Sequence, residues 1–123
     1  MRHIALGIGL CLTIGTAVLA AQPRGSVERG RQIYAQCAAC HSMDGSVGVG
    51  PSLRGVYGRR AGGGSGFSYS PALKSSGIIW DAATLDAFLR APQRAIPRNK
   101  MPYAGMAGQG DRQDVIAYLA ATR

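Results

Sequence analysis

Cys37-Ala38-Ala39-Cys40-His41 is the stretch that decides how the rest of the chain is read. Two thiols three residues apart, followed at once by an imidazole, form the attachment pattern of a c-type haem. At i and i+3 of a helical turn both sulfurs lie on one side, where they add to the two vinyl groups of one porphyrin, and His41 presents a nitrogen to the iron. Three other chemistries use the same residue types. A structural zinc site needs four ligands, and once an N-terminal export segment is removed no further Cys or His remains. A thioredoxin-like dithiol requires a βαβ setting. A Cys37–Cys40 disulfide would close a very short loop and stabilise little.

Working outward, 123 residues give room for one domain. With 46% hydrophobic and 16% charged residues the chain is too apolar for disorder, and its 18 glycines lack the period of collagen. A core of this size is marginal alone, so a covalently held cofactor is expected to complete it. The 14 Lys and Arg against 6 Asp and Glu leave a formal charge of +8 and a pI near 10.1. Such a balance either steers the chain to acidic partners or is scattered solvated charge; nucleic acid is not expected for an exported chain.

Export is read from the first residues. Arg2 and His3 precede an apolar run from Ile4 to Leu19, then small Ala20 and Ala21 before Gln22-Pro23, the order of a secretory signal peptide. Residues 1–20 are expected to be removed, leaving a domain of residues 21–123 in the bacterial periplasm. The run is interrupted by glycine and threonine and is short for a membrane span; an uncleaved anchor is the alternative. Cys11 interrupts the run instead of following it, against lipid attachment, and leaves with the signal.

In the remaining chain Ser26 is expected to cap a helix reaching Cys37, with Gly30 as a costly residue that something packs against closely. Asp111 is expected to cap a last helix with Val115, Tyr118 and Leu119 inward. Glycine-rich loops occupy 45–66. Ser70-Pro71 opens a short helix ending at Gly77, and Asp81 caps one with Leu85, Phe88 and Leu89 on one face, stopped by Pro92. Residues 95–110 read as loop, and no strand alternation occurs. The expected fold is all-α, with three to five helices and Gly/Pro-rich loops around one haem.

His41 is the only histidine left after export, so the opposite face of the iron falls to another residue. Thioether sulfur suits haem iron. Met43 is too near His41 to cross to the far face. Met101 sits in the proline-bracketed segment 97–103 and is preferred over Met106, five residues on.

Five ordered stretches carry a family resemblance: GRQIYAQCAACH (30–41), VGPSLRGVYGRRAG (49–62), GFSYSPALKSSGIIWD (66–81), APQRAIPRNKMPYAGM (91–106) and DVIAYL (114–119). From about Val27 to Leu119 the chain resembles the class I c-type cytochromes, nearest the cytochrome c2 and mitochondrial cytochrome c branch. The resemblance implies covalent haem on Cys37 and Cys40 and axial ligation by His41 and Met101. It also implies that the Pro51 carbonyl receives the other ring nitrogen of His41, and that Tyr69, Trp80 and Arg59 contact a haem propionate. Read without the family, Tyr69 and Trp80 are ordinary core aromatics. Phe88 and Leu73 depart from the family's more polar side chains, Ala95 and Tyr103 differ from its usual aromatics, and only nine residues separate His41 from Pro51.

A six-coordinate His/Met iron has no open position for substrate, so the expectation is a monomeric single-electron carrier and not an enzyme. It would shuttle between redox proteins with acidic docking surfaces, such as a membrane cytochrome complex and a terminal acceptor. The alternatives are a haem site with a labile Met101 that reacts with peroxide or binds a gas, and a dedicated electron-accepting subunit of one dehydrogenase.

Overall fold

The computed structural model describes residues 15–16 and 23–123; the expected signal peptide and its cut lie outside the described residues, save for 15–16. Among the described residues five short α-helices are joined by long loops: α1 Val27–Ile33, α2 Pro71–Lys74, α3 Ala82–Arg90, α4 Pro92–Ala95 and α5 Gln109–Ala121. A 3₁₀ turn, Tyr34–Gln36, extends α1. Among the described residues the only β-pairing is the isolated bridge Arg60–Ile79.

The caps follow from side-chain chemistry. Ser26 Oγ accepts from the Arg29 N–H at 3.2 Å, and Ser70 Oγ from the Leu73 N–H at 3.1 Å. Asp81 and Thr84 form a reciprocal box, each side chain accepting the other's backbone N–H at 2.9 Å. α5 differs from expectation. Gly108 occupies its N-cap, and Asp111 lies in the first turn, where its charge complements the helix dipole and pairs with Arg29 at 3.4 Å. The 95–110 loop therefore yields its last two residues to this helix. The second helix stops at Lys74, short of Gly77, and Pro92 both ends α3 and opens α4: its ring excludes α-conformation from Ala91 while suiting a first helical turn.

The helix expected to reach Cys37 is α-helical only to Ile33. The attachment segment is a run of tight turns instead, in which Cys37 O accepts from both the Cys40 N–H at 3.1 Å and the His41 N–H at 3.0 Å. Such turns still bring residues three apart to one side.

α5 is the hub, packing on α1 and α3. Gly30 is buried at the α1–α5 crossing, where an added Cβ would overlap the Asp114 carbonyl oxygen and come within 2.7 Å of Tyr118 Cβ. The Tyr34 and Tyr118 rings meet there with centroids 5.4 Å apart. On the other side of α5, Arg112 is buried. It donates to Asp86 at 2.7 Å and to the Met106 and Ala107 carbonyls at 2.8 and 2.9 Å, tying α3, α5 and the preceding loop together. Val115, Ile116 and Leu119 of α5 join Leu85, Phe88 and Leu89 of α3 in one hydrophobic cluster with Trp80, Val56 and Met106.

Candidate functional site

The loops and the inner faces of α3 and α5 enclose a cavity of about 580 Å³, within the range of ~300–1,000 Å³ that holds a ligand of moderate size. All eight residues singled out from the sequence line it: Cys37, Cys40, His41, Pro51, Arg59, Tyr69, Trp80 and Met101. Its floor is apolar, made by Leu85, Phe88 and Leu89 of α3 and Val115 and Leu119 of α5.

On one wall, His41 Nδ1 lies 2.7 Å from the Pro51 carbonyl oxygen. A carbonyl only accepts, so Nδ1 is the donor, and in the neutral ring the lone pair then lies on Nε2. Gly50 is pressed against the same ring: a Cβ there would lie 2.5 Å from Cε1 and 2.8 Å from Nδ1. Any larger residue would turn the imidazole. The Tyr34 hydroxyl donates to the His41 carbonyl at 2.8 Å, anchoring the backbone as Pro51 anchors the ring. The Cys37 and Cys40 sulfurs are not bonded to each other. Burial, with Cys40 nearby, pushes the Cys37 thiol above its usual range.

The three methionines are separated by placement. Met101 lines the cavity. Met106 is buried in the hydrophobic cluster, its backbone N–H bonded to the Leu89 carbonyl at 2.7 Å, and Met43 packs against that cluster from outside; neither lines the cavity. Arg59 and Trp80 stand side by side because the bridge at Arg60–Ile79 pairs their backbones, the Trp80 N–H donating to Arg59 O at 2.9 Å. The Arg59 guanidinium reaches the Ser52 and Arg54 carbonyls at 3.4 and 3.3 Å. It shares with the Tyr69 hydroxyl the space over Gly64, where an added Cβ would meet both groups. Trp80 also packs edge-on against Phe88 at 5.1 Å, so its role as a core aromatic and its place in the cavity wall coexist.

Residues 27–123 match the family model for cytochrome c. The chain belongs to the cytochrome c family. It is 43% identical over 98 residues to the cytochrome c2 of Rhodoblastus acidophilus, covering 78% of this chain and 92% of that one. It is 49% identical over 87 residues to cytochrome c2 iso-2 of Magnetospirillum fulvum, covering 70% and 91%. Among solved structures, cytochrome cH from Methylobacterium extorquens superposes with a TM-score of 0.76 at 41% identity, covering 79% of this chain and all but 1% of that one. These likenesses put the chain in the class I, cytochrome c2 branch of cytochromes c. It is an electron carrier with a covalently bound haem c and not an enzyme.

The residues present fit that cofactor. A flat, apolar macrocycle finds an apolar floor, two free thiols on one turn, an imidazole held edge-on by a glycine and a carbonyl, and a thioether in the same cavity. Sequence reasoning missed Tyr34, Gly50, Gln93, Asn99 and Arg112 as supports. For Asn99 a signal existed: a short amide side chain inside a proline-bracketed loop caps local backbone groups.

Proposed function

We propose that Cys37 and Cys40 carry the haem through thioether bonds, that His41 Nε2 and Met101 Sδ are its axial ligands, and that Arg59, Tyr69 and Trp80 face its propionates. The observation that carries this reading is the convergence of both thiols, the oriented imidazole and Met101, but not Met106, on one cavity. When bound, haem c supplies one iron that gains and loses a single electron. The chain's own residues set the conditions. Pro51 and Gly50 hold the imidazole in one plane, and Tyr34 holds its backbone. Leu85, Phe88, Leu89, Val115 and Leu119 keep water out, which disfavours extra charge at the metal and raises its potential. Arg59, Tyr69 and Trp80 supply donors for carboxylates in an otherwise apolar enclosure.

In this reading residues 1–20 are a cleaved signal peptide. Residues 21–123 act as a monomer in the periplasm, shuttling electrons between redox partners that present acidic docking surfaces, such as a membrane cytochrome complex and a terminal acceptor. No described helix is long and apolar enough to cross a membrane. The test is direct. Mass spectrometry of protein made with haem-attachment machinery is expected to give a chain from Ala21 plus one haem, and the ferric near-infrared spectrum a weak sulfur-to-iron charge-transfer band. A haem lost to acidified organic solvent, or a ferric protein without the band, overturns the thioether or the Met101 assignment respectively.

A further inference from the structure

Asn99 and Gln93 do more than fill the loop before Met101. Asn99 is buried, at 7% exposure, and uses its whole amide: Nδ2 donates to the Pro92 and Ile96 carbonyls, both at 2.9 Å, and Oδ1 accepts the Met101 N–H at 2.9 Å. Gln93, exposed on α4, closes the other half. Its Nε2 donates to the Asn99 carbonyl at 2.8 Å and its Oε1 accepts the Arg98 N–H at 3.2 Å. Between the two amides lies Arg98 at φ 66°, the only non-glycine residue of positive φ among the described residues, a conformation an arginine keeps only where its surroundings enforce it. Every hydrogen bond in this set either starts or ends on the segment 92–101, and the last of them is on the backbone of Met101 itself.

We infer that Gln93 and Asn99 form an amide clamp that positions Met101 and sets how readily its sulfur leaves the iron. The inference rests on the axial role proposed above for Met101. Flipping either amide would set donors against donors and carbonyls against oxygen, so the clamp has one orientation. Removing the Asn99 side chain orphans the Met101 N–H and frees Arg98 to relax, so the loop opens more often while the α1–α5–α3 scaffold is untouched.

The test is the rate at which imidazole in excess displaces the native ligand from the ferric holoprotein, read beside the charge-transfer band and hydrogen exchange of the Met101 amide. Asn99→Ala removes three hydrogen bonds. Part of that loss is recovered from water, and displacement is expected to quicken about 10- to 100-fold, with matching loss of Met101 amide protection. Gln93→Ala, on an exposed residue that cannot threaten folding, is expected to quicken it a few-fold, and Gln93→Glu, which keeps the acceptor for Arg98 but sets a carboxylate oxygen against the Asn99 carbonyl, at least as much. Ile116→Ala in the α5 core serves as the reference for a merely structural change: it lowers thermal stability with little effect on displacement below the melting range. If the wild-type ferric protein shows the band but Gln93→Ala and Asn99→Ala displace at the wild-type rate, or no faster than Ile116→Ala, the clamp is refuted. If the wild-type protein lacks the band, the ligand assignment fails first and the clamp with it.

Discussion

Gly30→Ala is the sharpest probe of how the fold is closed. In an open helix this change stabilises by about 1 kcal/mol. Here the new methyl would overlap the Asp114 carbonyl, lie 2.6 Å from its carbon and 2.7 Å from Tyr118 Cβ. These are backbone and Cβ atoms with no flexible end to swing away, so α1 and α5 must part by about an ångström. Overpacking of that kind costs typically 1–3 kcal/mol, and parting the helices also weakens the Tyr34–Tyr118 contact, worth about 0.5–1.5 kcal/mol. Against the propensity gain the net is a destabilisation of about 2 kcal/mol, or a melting temperature lower by roughly 8–16 °C for a domain of this size. Gly110→Ala supplies the control. It lies in the first turn of α5 with nothing within 4 Å of its would-be Cβ, so it receives the propensity term alone and should be neutral or stabilising by up to about 1 kcal/mol. Guanidinium and thermal unfolding of the holoprotein, followed by far-ultraviolet circular dichroism, measure both. A Gly30→Ala protein as stable as wild type, beside a Gly110→Ala protein of the same stability, would refute the close-crossing argument.

Met101→Ala should abolish the ferric sulfur-to-iron band with modest loss of stability, whereas Met106→Ala should keep the band and cost about 2–5 kcal/mol as a cavity in the hydrophobic cluster; the reverse pattern would exchange their roles. Acid should destabilise in the carboxylate range. The Ser46 hydroxyl and N–H hold Asp44 down to about 2, and the Ser26 N–H with Arg29 lowers Asp114. A carboxylate depressed in the folded state contributes fully above its unfolded value of ~3.9 and loses that contribution as pH falls toward the folded value. Denaturation midpoints should therefore fall from about pH 4 toward pH 2, and Asp44→Asn should flatten part of that slope; an unchanged slope would show that Asp44 contributes nothing. With a formal charge of +8 on the full chain, electron exchange with an acidic partner should slow as ionic strength rises from ~0.01 to ~0.15 M, measured by stopped-flow spectroscopy, and a flat dependence would remove electrostatic steering.

What was legible in the sequence was what side-chain chemistry enforces locally. Ser26, Ser70 and Asp81 cap where a short polar side chain can reach an orphan N–H, and Pro92 stops α3 because its ring excludes the preceding residue from helical conformation. The suspicion about Gly30 was legible for the same reason: a costly residue in a helix asks for a close neighbour. Asp111 differs, because its local pattern suits both a cap and the first turn of a helix beginning three residues earlier, and only the packing of α5 on α1 and α3 decides between them. The 3₁₀ turn after Ile33 is likewise tertiary in origin, since Tyr34 must turn its hydroxyl to the His41 carbonyl and its ring to Tyr118.

The chemical groups of the site could be read before any coordinates, because CxxCH and a proline-bracketed methionine name their chemistry by residue type. The supports could not, because they work through backbone atoms that carry no residue signature: the Pro51 carbonyl under His41, the Gly50 backbone against its ring, the Met101 N–H on Asn99. This divides the substitutions the site can bear. Changing a ligand removes the chemistry outright, while changing a support leaves every ligand present and alters only geometry and exchange. Gly50→Ala illustrates the second kind, since its methyl would press on Cε1, Nδ1 and Nε2 of the imidazole, and Nδ1 is the atom bonded to the Pro51 carbonyl. The ring can escape only by giving up that bond or by tilting Nε2, so the electronic environment at the iron should shift even where attachment and overall fold persist.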